Sequence, residues 1–156
     1  MKDIKIITNK RFQKEIGIYL EPIKSKFLKK NKNVTLLDFD FNSAKFKLDI
    51  TEKISIYINI EIQNGYPFKK PFIKVNNINY FNYLKIEQNK LNEIGNKLCL
   101  CCNSILCNWY AAHTIYLLLN EVTENFKLKL RLLNRFYCKK ITNQIFGTYI
   151  PIIEFL

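Results

Sequence analysis

Four of the five cysteines in this 156-residue chain, Cys99, Cys101, Cys102 and Cys107, crowd between positions 99 and 107. Secreted disulfide frameworks spread an even number of cysteines along the chain, so this clustering points to nucleophilic catalysis, metal ligation or small core side chains. Nucleophilic chemistry needs an exposed thiol that loses its proton readily. A free thiol titrates near about 8.5, and a modest positive field, which Lys97 and the basic balance of the chain supply, raises its thiolate fraction. Attack on a carbonyl further needs donors for the developing oxyanion. Metal chemistry would instead draw on Cys99-x2-Cys102-x4-Cys107-x5-His113, a spacing that approaches a zinc knuckle with three thiolates and the one imidazole of the chain. Against that reading, Ile105, Leu106, Trp109 and Ile115 are core-like residue types rather than those of a polar metal module, and His113 falls within a helix expected to begin near Trp109. The packing alternative applies to every one of these thiols, because free cysteines are among the most buried residues.

The elements that hold this segment are read from periodicity. Phe12, Ile16, Tyr19, Leu20, Ile23 and Phe27 recur at helical spacing, with Lys10, Lys14, Lys24 and Lys26 on other faces. Thr8 or Asn9 is placed to cap this helix, and Pro22 predicts a kink or an early stop. From Val34 the period changes. Phe39 and Phe41 flank Asp40, then Phe46, Leu48 and Ile50 alternate with Lys45, Lys47 and Asp49, and Ile54, Ile56, Ile58, Ile60 and Ile62 alternate with polar residues. Such alternation predicts strands with one buried and one wetted face, and connections as short as Asn42-Ser43 and Thr51-Glu52-Lys53 permit only antiparallel neighbours. A fourth strand is expected over Phe72 to Asn76, and Asn76 to Lys97 reads as a long irregular connection. Beyond the cysteines, one helix is expected through Ile115, Leu118, Leu119 and Val122, and a second sets Phe126, Leu130, Leu133 and Tyr137 against Lys127, Lys129, Arg131, Arg135 and Lys139. The order is helix, four-stranded antiparallel meander, loop and C-terminal helices, an α+β domain with helices on one sheet face.

Between the third and fourth strands stands Tyr66-Pro67-Phe68-Lys69-Lys70-Pro71. Its two prolines fix φ and withhold two amide donors, so the chain must leave the sheet, turn and re-enter at Phe72. With this corner in place the chain resembles the ubiquitin-conjugating enzyme (UBC-like) family, in which an N-terminal helix precedes a four-strand meander. There the third strand runs into a Tyr-Pro-x-x-x-Pro corner, and a long loop leads to a Cys-Leu and then a Trp. Lys10 to Glu15 is similar to the family's helix opening, Tyr66 to Pro71 to its corner, Lys97-Leu98-Cys99-Leu100 to its active-site segment, and Trp109 to its tryptophan, so the resemblance spans roughly Lys10 to Val122.

The resemblance implies that Cys99 accepts ubiquitin or a ubiquitin-like protein as a thioester from an activating enzyme and passes it to lysine, with a ligase as a further partner and no metal or organic cofactor. Cys101 competes for the role, because it lies eight residues before Trp109, the family's usual spacing, whereas Cys99 lies ten before it. Cys99 is preferred for its leucines on both sides. The chain departs from the family upstream, where it has no His-Pro-Asn tripeptide; Asn89, Asn92 and Asn96 are the nearby asparagines. The corner is shared with the non-catalytic RWD domains, so an inactive UBC-like or RWD-like binding adaptor is the alternative, and a zinc-dependent nucleic-acid binder the third reading.

Composition bounds the rest. Hydrophobic residues form 48% and charged residues 24% of the chain, a globular balance, and the length suits one domain over 1–156, with a basic helix and an apolar tail over 126–156. A net charge of +12 favours acidic partners without naming one, and the basic stripe of the last helix reads as its solvated side. Asp3 and Lys5 interrupt any signal-peptide core, and Ile115 to Leu119 is far shorter than a membrane span, so an intracellular protein with no membrane partner is expected. There is no Gly-rich phosphate loop and no nucleophile elbow.

Overall fold

Alternation of apolar and polar residues builds the sheet. A computed structural model describes residues 9–20, 33–93, 95 and 99–146. The expectations for the first eight residues, Pro22, Ile23, Phe27, Asn96 to Leu98 and the tail from Tyr149 lie outside them. Five strands, β1 (Val34–Phe39), β2 (Ser43–Thr51), β3 (Ile54–Glu61), β4 (Phe72–Val75) and β5 (Ile78–Asn79), form one antiparallel sheet in sequence order. Register aligns the apolar rows: Leu36 pairs with Phe46, Phe46 with Ile58 and Ile58 with Val75, while Leu48 pairs with Ile56 and Ile60 with both Ala44 and Ile73. A one-residue slip would turn all of these to water, so burial holds the register.

Helices cover that face. In α1 (Lys10–Leu20) the Asn9 Oδ1 accepts the Phe12 N–H at 3.0 Å, so Asn9 is the cap, and Phe12 and Ile16 are buried against the sheet. Tyr19 meets Phe46 edge-on with ring centroids 5.1 Å apart. From the other end of the chain, α4 (Ile115–Phe146) adds Ile115, Leu118, Leu119 and Val122 to the same core. Each such side chain contributes roughly 1.5–3 kcal/mol by leaving water.

Three expectations are corrected. The meander has a fifth strand, because Asn76 and Asn77 both adopt positive φ (48° and 66°) and close a tight hairpin from β4 into β5. The supposed irregular connection after it holds α2 (Tyr80–Tyr83), capped by Asn79, and α3 (Gln88–Glu93), which buries Leu91. The two C-terminal helices are one continuous helix of 32 residues: Thr123-Glu124-Asn125 is polar but contains no Gly or Pro to stop it, and Thr123 Oγ1 donates back to the Leu119 carbonyl at 2.8 Å. With the helical phase carried through, Leu132 is buried and Phe136 half-buried, while Leu133 and Tyr137, expected on the inner face, are exposed. This half of α4 lies on α2 and α3: Tyr80, Tyr83 and Phe126 stack in series, Lys129 Nζ sits 3.7 Å from the Tyr83 ring centroid and Lys90 Nζ 5.8 Å from that of Phe136.

Among the described residues no helix is long and apolar enough to cross a membrane.

Candidate active site

Two carboxylates on helix faces that are otherwise apolar carry the scaffold of the site. Glu15 lies on the inward stripe of α1 with Phe12 and Ile16 and is 7% exposed. Its Oε2 accepts the Tyr66 hydroxyl at 3.0 Å and the Ile115 N–H at 2.8 Å, and its Oε1 accepts the Arg11 Nε–H. A buried carboxylate is tolerated only when it is paired and hydrogen-bonded, and its charge at the first residue of α4 also meets the positive end of the helix dipole. One side chain thus ties the first helix to the Tyr-Pro corner and to the start of the last helix. Burial, and then the neighbouring Glu15 charge, pushes the Tyr66 phenol well above its ordinary value, so it remains a donor.

The corner itself is held from both sides. Asn9 Nδ2 donates to the Tyr66 carbonyl at 2.8 Å, and the Trp109 indole N–H donates to the Pro67 carbonyl at 2.7 Å, with the Trp109 ring tilted on Tyr66 at 6.0 Å. Trp109 and His113 therefore sit in the loop before α4, which begins only at Ile115, where Thr114 Oγ1 accepts the Leu117 N–H at 3.3 Å. This corrects the expectation of a helix led by Trp109. Thr-Ile at 114–115 is the better start because Thr supplies a capping oxygen immediately before the apolar run.

Glu121, nearly two turns into α4, fixes the chain around Ser104 and Ile105. Its Oε1 accepts Ser104 Oγ at 2.7 Å and the Tyr80 hydroxyl at 2.8 Å, and its Oε2 accepts the Ile105 N–H at 2.6 Å. Asn108 Nδ2 donates to the carbonyls of Cys102 and Ser104, and Leu100 and Leu106 are buried on either side. The cysteine segment is a tight turn bolted to the core by its leucines and to α4 by one carboxylate.

Within that turn, Cys99 and Cys101 are half-buried and Cys102 is exposed. Cys101 packs against the core, and its sulfur lies 2.7 Å from that of Cys99 and 3.9 Å from that of Cys102. The Cys101 S–H, with the backbone N–H groups of Cys102 and Cys101, favours the Cys99 thiolate and draws its pKa down to about 7. The same interaction with Cys99 raises Cys101 to about 11. Of the two inner thiols, Cys99 is the one drawn toward its thiolate and Cys101 the one drawn toward keeping its proton.

The zinc-knuckle set is not brought together. Among the described residues the sulfurs within 4.8 Å of one another are those of Cys99, Cys101 and Cys102, whereas His113 Nδ1 accepts the Tyr110 N–H at 3.3 Å and its ring lies on Tyr110 and Trp109. Asn89 and Asn92 lie exposed on α3, where Asn92 accepts a hydrogen bond from Gln88. Sequence reasoning missed Glu15 and Glu121. The available signal was a carboxylate standing on an apolar stripe, Glu15 beside Phe12 and Ile16, and Glu121 beside Leu118 and Val122.

No protein-family model, curated protein or solved structure matches the chain.

Proposed function

We propose that this chain is a divergent UBC-like carrier in which Cys99 holds ubiquitin or a ubiquitin-like protein as a thioester. The observation that carries the proposal is the Cys99 thiol itself, half-exposed in a turn that supplies hydrogen-bond donors to its thiolate. Its sulfur attacks the carbonyl of the thioester on an activating enzyme, a new C–S bond forms, the donor's C–S bond breaks and the donor thiolate leaves. A lysine amine later attacks the same carbonyl and Cys99 departs as thiolate, for which a low pKa is favourable. Further support comes from the contact between two elements of the resemblance: the Trp109 indole is hydrogen-bonded to the Pro67 carbonyl of the Tyr-Pro corner and its ring lies on Tyr66. A cleft of about 290 Å3 bordered by Leu100, Asn103 and Asn125 flanks the turn.

The test is incubation of the full chain with activating enzymes, ATP and a panel of modifiers. A reductant-sensitive adduct that Cys99→Ser lacks supports the carrier. If every modifier fails on folded protein, the adaptor reading takes over. Near-stoichiometric zinc on the purified protein, released together with reactivity of the cysteine turn, would displace the carrier with a metal site.

A further inference from the structure

The Cys101 sulfur has no role in the carrier chemistry beyond its proton, yet it occupies the closest position to the nucleophile. Asn103 N–H bonds to the Cys99 carbonyl at 3.2 Å and Ser104 N–H to the Cys101 carbonyl at 3.4 Å, and this curl brings the sulfurs of residues two apart to 2.7 Å. Forming a bond of about 2.05 Å from there needs a shift of less than ~1 Å. Cys102 is exposed at the turn's edge and farther from the pair.

We propose that Cys99 and Cys101 form a peroxide-responsive dithiol that closes to an intramolecular disulfide and reopens on reduction. The oxidant is hydrogen peroxide. The Cys99 thiolate sulfur attacks one peroxide oxygen, the O–O bond breaks, hydroxide leaves and Cys99 becomes a sulfenic acid. The Cys101 sulfur then attacks the Cys99 sulfur, the S–O bond breaks, and the Cys101 proton leaves with the hydroxyl as water. Two electrons have passed from the two thiols to the peroxide, and a dithiol reductant returns them by exchange. A readily ionised attacking thiol next to a protonated resolving thiol is the arrangement this sequence of steps needs. The disulfide stands on the sulfur geometry alone. Its consequence, withdrawal of Cys99 from acyl transfer, rests on the carrier reading.

The experiment treats the reduced full chain with hydrogen peroxide and follows free thiols by alkylation and intact mass. Wild type and Cys102→Ser should each lose two thiols with a mass decrease of about 2 Da that dithiothreitol reverses. Cys101→Ser should lose that pair at least ~tenfold more slowly and accumulate instead a Cys99 sulfinic acid, a gain of about 32 Da. Five thiols remaining free in wild type would overturn the proposal, as would a pair closing equally fast in Cys101→Ser through Cys102. Joint protection of all three thiols that a chelator releases would replace it with a metal site. Charging before and after peroxide is measured on the same samples. A chain that never charges yet closes its disulfide rejects the carrier and keeps the switch.

Discussion

At the scale of single residues, the site is an asymmetric pair of thiols made by position. Cys99 and Cys101 have the same chemistry, but one receives donors and the other packs against the core. Reaction with iodoacetamide should therefore be fastest at Cys99, and its rate should climb through about pH 7 and level off as the thiolate fills. In Cys101→Ser a hydroxyl is a different donor in place of the thiol, while Cys101→Ala removes the donor altogether. The Ala variant should move the midpoint upward toward the ordinary thiol value of about 8.5 and slow alkylation at pH 7. A pH–rate profile read by mass spectrometry checks both; an unchanged midpoint would remove Cys101 from the account. The indole of Trp109, the sole tryptophan, donates to the Pro67 carbonyl from a half-buried position, so Trp109→Phe should cost about 1–2 kcal/mol in urea unfolding through the lost bond and the unsatisfied acceptor.

At the scale of elements, the connections between them matter as much as the elements. Glu15 joins α1, the corner and α4, so Glu15→Ala leaves the Tyr66 hydroxyl and the Ile115 N–H without their partner in a buried place. The expected loss is about 3 kcal/mol, read from the shift of the urea midpoint at constant slope. Asn77 is held at φ 66° in the β4–β5 turn, where a β-branched residue costs roughly 1–2 kcal/mol; Asn77→Val should show that loss and Asn77→Gly little change. Much of this level was legible in the sequence. The strand pattern, the antiparallel order, the Asn9 cap and the Pro-rich corner follow from period and turn chemistry that act locally. The misreadings have physical causes. Asn76-Asn77 closes a hairpin because both residues tolerate positive φ, and Thr123-Glu124-Asn125 does not interrupt α4 because tertiary packing carries a helix through such polar residues. The carboxylate junctions were not legible as pairs, because Glu15 and Ile115 are 100 positions apart and meet only in the folded chain.

At the scale of the whole molecule, a helix-covered antiparallel meander presents a cysteine turn on its flank, held by Glu121 and by leucines rather than sealed inside. The thiol is thereby fixed in place and still accessible, which a carrier of a large protein donor requires. Spacing alone marks out the cysteine cluster, whereas the distinction between Cys99 and Cys101 depends on backbone N–H groups and a sulfur contact that no spacing reveals. The most direct measurement compares wild type, Cys99→Ser, Cys101→Ser and Cys102→Ser in single-turnover charging with an activating enzyme, ATP and each modifier, resolved on gels with and without reductant. The account predicts a reductant-sensitive adduct for wild type, Cys101→Ser and Cys102→Ser and none for Cys99→Ser. An adduct that survives in Cys99→Ser and vanishes in Cys101→Ser, or no adduct from any variant that remains folded, would contradict it.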